Sequence, residues 1–137
     1  MALPRGIRNN NPLNIRKGNN WKGERQHQTD NAFEEFVSIE YGLRAAFKIL
    51  RNWISGKANR GHAIDTIEKI VSRWAPPSEN NTDAYINYVS KRSGIDPRER
   101  IWFTDRRKIV AIVEAMAMYE NGVPLDTARI ESAYDLV

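Results

Sequence analysis

Apolar residues recur at helical spacing from residue 38 onward, whereas the first part of the chain alternates short apolar anchors with polar loops. Leu43, Phe47, Leu50 and Ile54 repeat at three- and four-residue intervals, with Ala46 and Trp53 beside them. This predicts a helix capped by Ser38 and closed by Gly56. A basic loop, 57–63, follows. Asp65 with Glu68 resembles a capping box, and Ile67, Ile70, Val71 and Trp74 form the buried stripe of a second helix. Pro76–Pro77 end it. Thr82 is placed to cap a third helix, which carries Tyr85, Ile86 and Val89 and stops near Gly94. Residues 95–103 form a connector with Pro97, Trp102 and Phe103. Thr104 is placed to cap the fourth and longest helix, Asp105 to about Glu120, with Gly122 at its end. Asp126 starts a short last helix.

Residues 13–37 read as irregular to β. Leu13–Arg16 can form a short strand, and Gln26–Thr29 can pair with Phe33–Val37 across a turn at Asp30–Asn31. The expected class is mainly α (α+β), with five helices and a small β-hairpin region.

The stretch GIRNNNPLNI at 6–15 stands apart. It sets three asparagines, a proline and a fourth asparagine between Ile7 and Leu13/Ile15. Asparagine tolerates left-handed backbone conformations and bonds its own main chain. Pro12 fixes one φ angle and biases Asn11 toward extended geometry. The expected product is a rigid, amide-lined loop. Amides donate and accept, so the loop suits a ligand rich in hydroxyl and acetamido groups. The alternative is a structural turn whose asparagines cap the backbone.

These motifs carry a resemblance. RNNNPLNI, then WKG at 21–23, QTD at 28–30, Phe33 and Phe36, YGLRA at 41–45, WAP at 74–76, ENNT at 79–82 with Tyr85, and ENG at 120–122 resemble a family of small phage and prophage structural (virion) proteins. That family is related to the muralytic enzyme of enveloped double-stranded RNA phages. The resemblance covers nearly the whole chain in the family's order. It implies one lysozyme-like domain, 1–137, acting on peptidoglycan.

Length and composition fit that expectation. The 137 residues suit one modest core, with 41% hydrophobic and 28% charged residues. No apolar run is long enough to span a bilayer, and the N-terminus has no hydrophobic signal segment. The expectation is synthesis in the cytoplasm and delivery to the cell wall by another device, such as a phage particle, a holin or a secretion machine. There is no cysteine, and His27 and His62 stand alone. Neither a metal site nor a cofactor is expected. The net charge of +4 favours an anionic partner, either nucleic acid or an acidic wall polymer. Its densest cluster, Arg106, Arg107 and Lys108, opens a helix.

Glu120 is the leading catalytic candidate. It follows Ile109, Ile112, Val113, Met116 and Tyr119 on the apolar face of the fourth helix. Burial and the negative end of the helix dipole both act to raise a carboxyl pKa there, as a general acid requires. Glycoside cleavage needs such a donor at the leaving oxygen. The structural alternative is a solvent-facing or Arg-paired glutamate. Lytic transglycosylases and related muramidases place their acid at a helix end in a Glu-Ser-Gly-like context, and some have an Asn-Asn-x-x-Gly-Ile-like stretch downstream. Glu120-Asn121-Gly122 resembles the first and Asn10–Ile15 the second, in reversed order. A circular permutation would explain this, and it predicts that Glu120 faces the asparagine loop across a cleft and that the termini lie close.

Asp30, in the QTD turn, is the candidate second carboxylate, with an ordinary turn residue as its alternative. Glu79 is placed to cap or to bind ligand. A lytic transglycosylase needs one essential acid, because the sugar's own 6-hydroxyl attacks, so the lack of a clear pair favours that reaction over hydrolysis. Asn10, Asn11, Asn14, Trp21, Gln28, Thr29, Asn81 and Tyr85 are the candidate substrate contacts, through amides, a hydroxyl and aromatic faces. Asn81 can equally cap a helix, and Trp74 reads as core. The expected activity is cleavage of the peptidoglycan glycan strand by a lytic transglycosylase or muramidase-type glycosidase. A non-catalytic wall-binding or virion protein is the second reading, with other virion or secretion-machine proteins as partners. Nucleic-acid binding through Arg106–Lys108 is the third and least favoured.

Overall fold

Ser38 lies in extended backbone and its hydroxyl accepts from the Tyr41 amide, which starts the first long helix. The computed structural model describes residues 2–137. Six helices follow in order: α1 (Arg5–Arg8), α2 (Ile39–Ile54), α3 (Ile67–Trp74), α4 (Thr82–Ser93), α5 (Arg106–Asn121) and α6 (Thr127–Tyr134). A single 3₁₀ turn, Lys57–Asn59, follows α2. The class is mainly α. No helix among the described residues is long and apolar enough to cross a membrane.

The predicted stripes are the core. Leu43, Ala46, Phe47 and Leu50 of α2, Ile67, Ile70 and Val71 of α3, and Ile109, Ile112, Val113 and Met116 of α5 are buried. α4 packs on α5 and α3, α2 on α6, and α5 also on α6, while short α1 touches α5. That last contact brings the N-terminal loop to the end of the helix bearing Glu120.

Three caps sit one residue from their expected positions. Thr66, not Asp65, caps α3 through the Lys69 amide. Asp65 instead pairs with Arg100 at 3.1 Å. Asn81, not Thr82, caps α4, and the Thr82 hydroxyl donates to the Ala75 carbonyl at 2.6 Å. Asp105, not Thr104, caps α5 through the Lys108 amide. Asp65 and Thr82 each have a partner outside the helix they precede. α1 was not evident in the sequence, since Pro4 starts only one turn.

The hairpin expected at 26–37 does not form a ladder. Residues 13–37 instead make two isolated antiparallel bridges, Arg16 with Phe33 and Glu24 with Phe36. Side chains replace the ladder. Buried Glu35 accepts from the amide of Asp30 at 2.9 Å and the hydroxyl of Thr29 at 2.9 Å, and Gln28 donates to the carbonyls of Arg25 and Glu35. A carboxylate that takes several local donors offers the backbone an alternative to a strand ladder. Burial alone would raise the Glu35 pKa, but these hydrogen bonds and Arg25 outweigh it and lower it.

Candidate functional site

The asparagine loop is built before the site. Asn11 is fully buried. Its Nδ2 donates to the carbonyls of Ile15 and Glu34, and its Oδ1 accepts from the Ile15 amide. Asn10 donates to the Phe36 carbonyl at 3.1 Å, and Asn9 donates to Asp30 at 3.0 Å. Asn10 and Asn14 both adopt left-handed backbone, with φ of 53° and 54°, which asparagine tolerates. The loop lies directly on α2. A Cβ at Gly42 would come within 1.9 Å of the Asn10 carbonyl oxygen, so only glycine allows this approach. On the other side, Asn121 Nδ2 donates to the Pro12 carbonyl at 2.8 Å and ties the loop to the end of α5.

That arrangement aims one asparagine outward. Asn14 Nδ2 donates to Glu120 Oε1 at 2.8 Å, across 106 positions of sequence. The two residues share a cleft of about 250 Å³ with Arg16, Phe33, Trp74, Glu79 and Asn80. Trp74, expected in the core, is half-buried. Its Nε1 donates to the Leu13 carbonyl at 2.9 Å and its ring forms a wall of the cleft. Glu120 is half-buried in the last turn of α5. Behind it lies Tyr85, only 1% exposed, stacked on Tyr119 with centroids 4.0 Å apart. Burial pushes the Tyr85 hydroxyl well above the usual phenol range, and the adjacent Glu120 carboxylate adds to the shift. Tyr85 therefore stays a neutral phenol beside the acid.

The other expected contacts go elsewhere. Asn11 has no free amide edge and no exposure, so it shapes the loop and cannot reach a ligand. Tyr85 is likewise too buried to stack on a sugar. Asn81 is the α4 cap, accepting from the Ala84 amide at 3.2 Å. Gln28 is held by backbone carbonyls. Thr29 and Asp30 line a separate depression with Arg5 and Arg25. Asp30 accepts a two-pronged bond from Arg5, both contacts at 2.7 Å, and Arg5 holds its carboxyl far below the usual carboxylate range. A carboxylate so held is not brought to the Glu120 cleft. Trp21 packs against the core, half-buried, with its indole nitrogen unpartnered. The cleft acid other than Glu120 is Glu79, which is exposed.

One feature gave no sequence signal. Glu34 is 4% exposed, and Glu24 lies beside it. Burial, then the neighbouring Glu24, pushes the Glu34 carboxyl up to about 7. Glu24 and Glu34 are ten positions apart in an irregular segment, so only the fold makes them neighbours.

The basic cluster is largely neutralised. Arg106 binds Glu131 and Asp135, and Lys108 pairs with Glu99. A depression of about 640 Å³ beside these pairs holds the Arg92–Glu114 and Arg106–Glu131 salt bridges.

Comparison with known proteins gives a relative by sequence. The chain is 38% identical over 122 residues to protein P5 of Pseudoalteromonas phage PM2, covering 86% of this chain and 71% of that protein. The chain belongs to the family of PM2 protein P5. No established family profile matches it. A P5-family chain is thus a relative of a phage protein, and the site described above is what this member offers for chemistry.

Proposed function

We propose that this protein cleaves the glycan strand of peptidoglycan, with Glu120 as general acid. The observation that carries the reading is the Asn14–Glu120 pair in a cleft walled by Trp74 and Phe33. A half-buried carboxylate at a helix end, oriented by a rigid amide and open to an aromatic-walled cleft, is what protonation of a glycosidic oxygen needs. Glu120 gives its proton to the leaving oxygen as the C1–O bond breaks. The resulting carboxylate is stabilised by the Asn14 amide and backed by the neutral Tyr85 phenol, ready to take a proton from the attacking hydroxyl. With Asp30 bound to Arg5 and Glu79 exposed, the cleft offers one embedded acid, which favours intramolecular attack by the sugar's 6-hydroxyl over hydrolysis. The lysozyme-like kinship and its circular permutation are part of this proposal. The contact between Glu120 and the asparagine loop supports them.

The same lack of a second embedded carboxylate favours one alternative, a wall-binding virion component without turnover. Kinship with a phage protein agrees with either role. Turbidity loss of purified peptidoglycan separates them: wild type clears the suspension and Glu120→Gln does not if the catalytic reading holds. Wall binding by both proteins with no clearing would support the structural role.

A further inference from the structure

The Glu120 cleft does not end at Asn14. A second hollow of about 190 Å³ adjoins it, and the two share Asn14, Arg16 and Trp74. Together they form one groove with the acid in one arm only. The other arm is built differently. Its walls are Trp53 and Trp74, packed edge to face at 5.4 Å, and its rims are Arg16 and Arg73.

These two arginines combine two features. Arg5, Arg25, Arg92, Arg98, Arg100, Arg106 and Arg129 each pair with a carboxylate. Arg16 and Arg73, like Arg8, Arg44, Arg51, Arg60 and Arg107, have no such partner among the described residues, and of that group these two stack on an aromatic ring. Arg16 lies 4.9 Å from the Phe33 centroid and Arg73 lies 5.2 Å from that of Trp53. Stacking uses the π face of a guanidinium and leaves its N–H edge free. That edge matches a carboxylate in its own plane. The rings also limit the rotamers of both side chains, so less freedom is lost on binding.

We infer that this arm binds a carboxylate-bearing unit of the ligand, with Arg16 and Arg73 as its specificity-determining residues. The inference rests on the reading of the groove as a glycan site, and it deepens it. The preferred strand is an amino-sugar polymer carrying carboxylates, and a neutral polymer of the same backbone is a poor ligand. The asymmetry also sets direction, with the carboxylate-bearing unit always on the same side of the bond at Glu120.

The test measures binding, not turnover. Glu120→Gln protein is titrated with peptidoglycan strands freed of their peptides, with peptide-bearing strands and with neutral chitin oligosaccharides. At least about tenfold tighter binding of peptide-free strands than of chitin is expected, with a steep loss in added salt. Arg16→Gln and Arg73→Gln, each in the Glu120→Gln background, should each weaken binding of that strand about tenfold and narrow its margin over chitin. A preference seen only with peptide-bearing strands supports the arginine site and places the carboxylate on the peptide. Equal affinity for charged and neutral strands, or arginine variants that bind as before, overturns the inference. Both side chains are exposed, and circular dichroism verifies folding. Wild-type turnover is scored separately: selective binding without turnover keeps this inference and removes the catalytic one, and no binding to any strand overturns both.

Discussion

Asn14 and Glu120 are joined by a 2.8 Å hydrogen bond from the asparagine amide to the glutamate carboxylate. The left-handed backbone of Asn14 aims that amide, and the Asn121–Pro12 bond fixes the distance between loop and helix. Asn14→Gly keeps the backbone conformation and removes only the amide. It should lower kcat on peptidoglycan about 10- to 100-fold with little change in KM, since the lost contact orients the acid and not the substrate. A rise in KM alone would assign Asn14 to substrate binding.

Tyr85→Phe removes the neutral hydroxyl behind Glu120 and keeps the stacked ring. The buried phenol hydroxyl has no hydrogen-bond partner, so its loss should cost little stability, within about 1 kcal/mol. On peptidoglycan kcat should fall, because the hydroxyl sits against the Glu120 carboxylate. An unchanged kcat would leave Tyr85 a packing residue.

Gly42→Ala tests the seat of the loop. Its Cβ would meet backbone oxygen, which cannot rotate away. Overpacking of this kind costs about 1–3 kcal/mol, to be read from thermal or denaturant unfolding. Activity should fall with it, as Asn14 loses its support. A variant with unchanged midpoint would mean that the loop shifts freely over α2.

Much of this was legible in the sequence. The helices announced themselves by periodicity, and Ser38, Gly94, Gly122 and Asp126 marked ends where the fold has them. Glu120 stands out because it continues the buried stripe of α5, and Asn14 because four asparagines crowd one loop. The sequence could not say which asparagine faces outward. Asn9, Asn10, Asn11 and Asn14 have the same chemistry, and only long-range partners such as Phe36 and Glu34 distinguish them. Asp30 stands at a turn of the kind where lysozyme-like enzymes place a second carboxylate, and only the fold shows that Arg5, 25 residues away, holds it. Arg16 and Arg73 gave no signal, because stacking on Phe33 and Trp53 is visible only in three dimensions.

Two carboxylates give the protein opposite responses to pH. Asp30 is held far below its ordinary value by Arg5. Its contribution is therefore present above pH 4 and is lost as pH falls further. Asp30→Asn should lower the melting temperature at pH 7 and flatten the acid limb, with catalysis per folded molecule retained. Glu34 is pushed up from an ordinary 4.5 to about 7. The folded state holds that proton longer than the unfolded chain does. Its contribution is full below about pH 4.5 and is lost as pH rises through 7. Glu34→Gln should thus gain stability relative to wild type between pH 5 and 8, on the order of 2 kcal/mol. A wild-type-like pH dependence in that variant would remove Glu34 as the titrating group.

The central claim is that Glu120 protonates a glycosidic bond of peptidoglycan. Mass spectrometry of purified peptidoglycan after incubation with wild type and with folded Glu120→Gln tests it most directly. The account predicts anhydro-ended muropeptides from wild type and none from the variant. Reducing-end products from wild type alone would keep Glu120 as the acid but contradict intramolecular attack and call for a second carboxylate. Products from both proteins, or from neither, would contradict the claim.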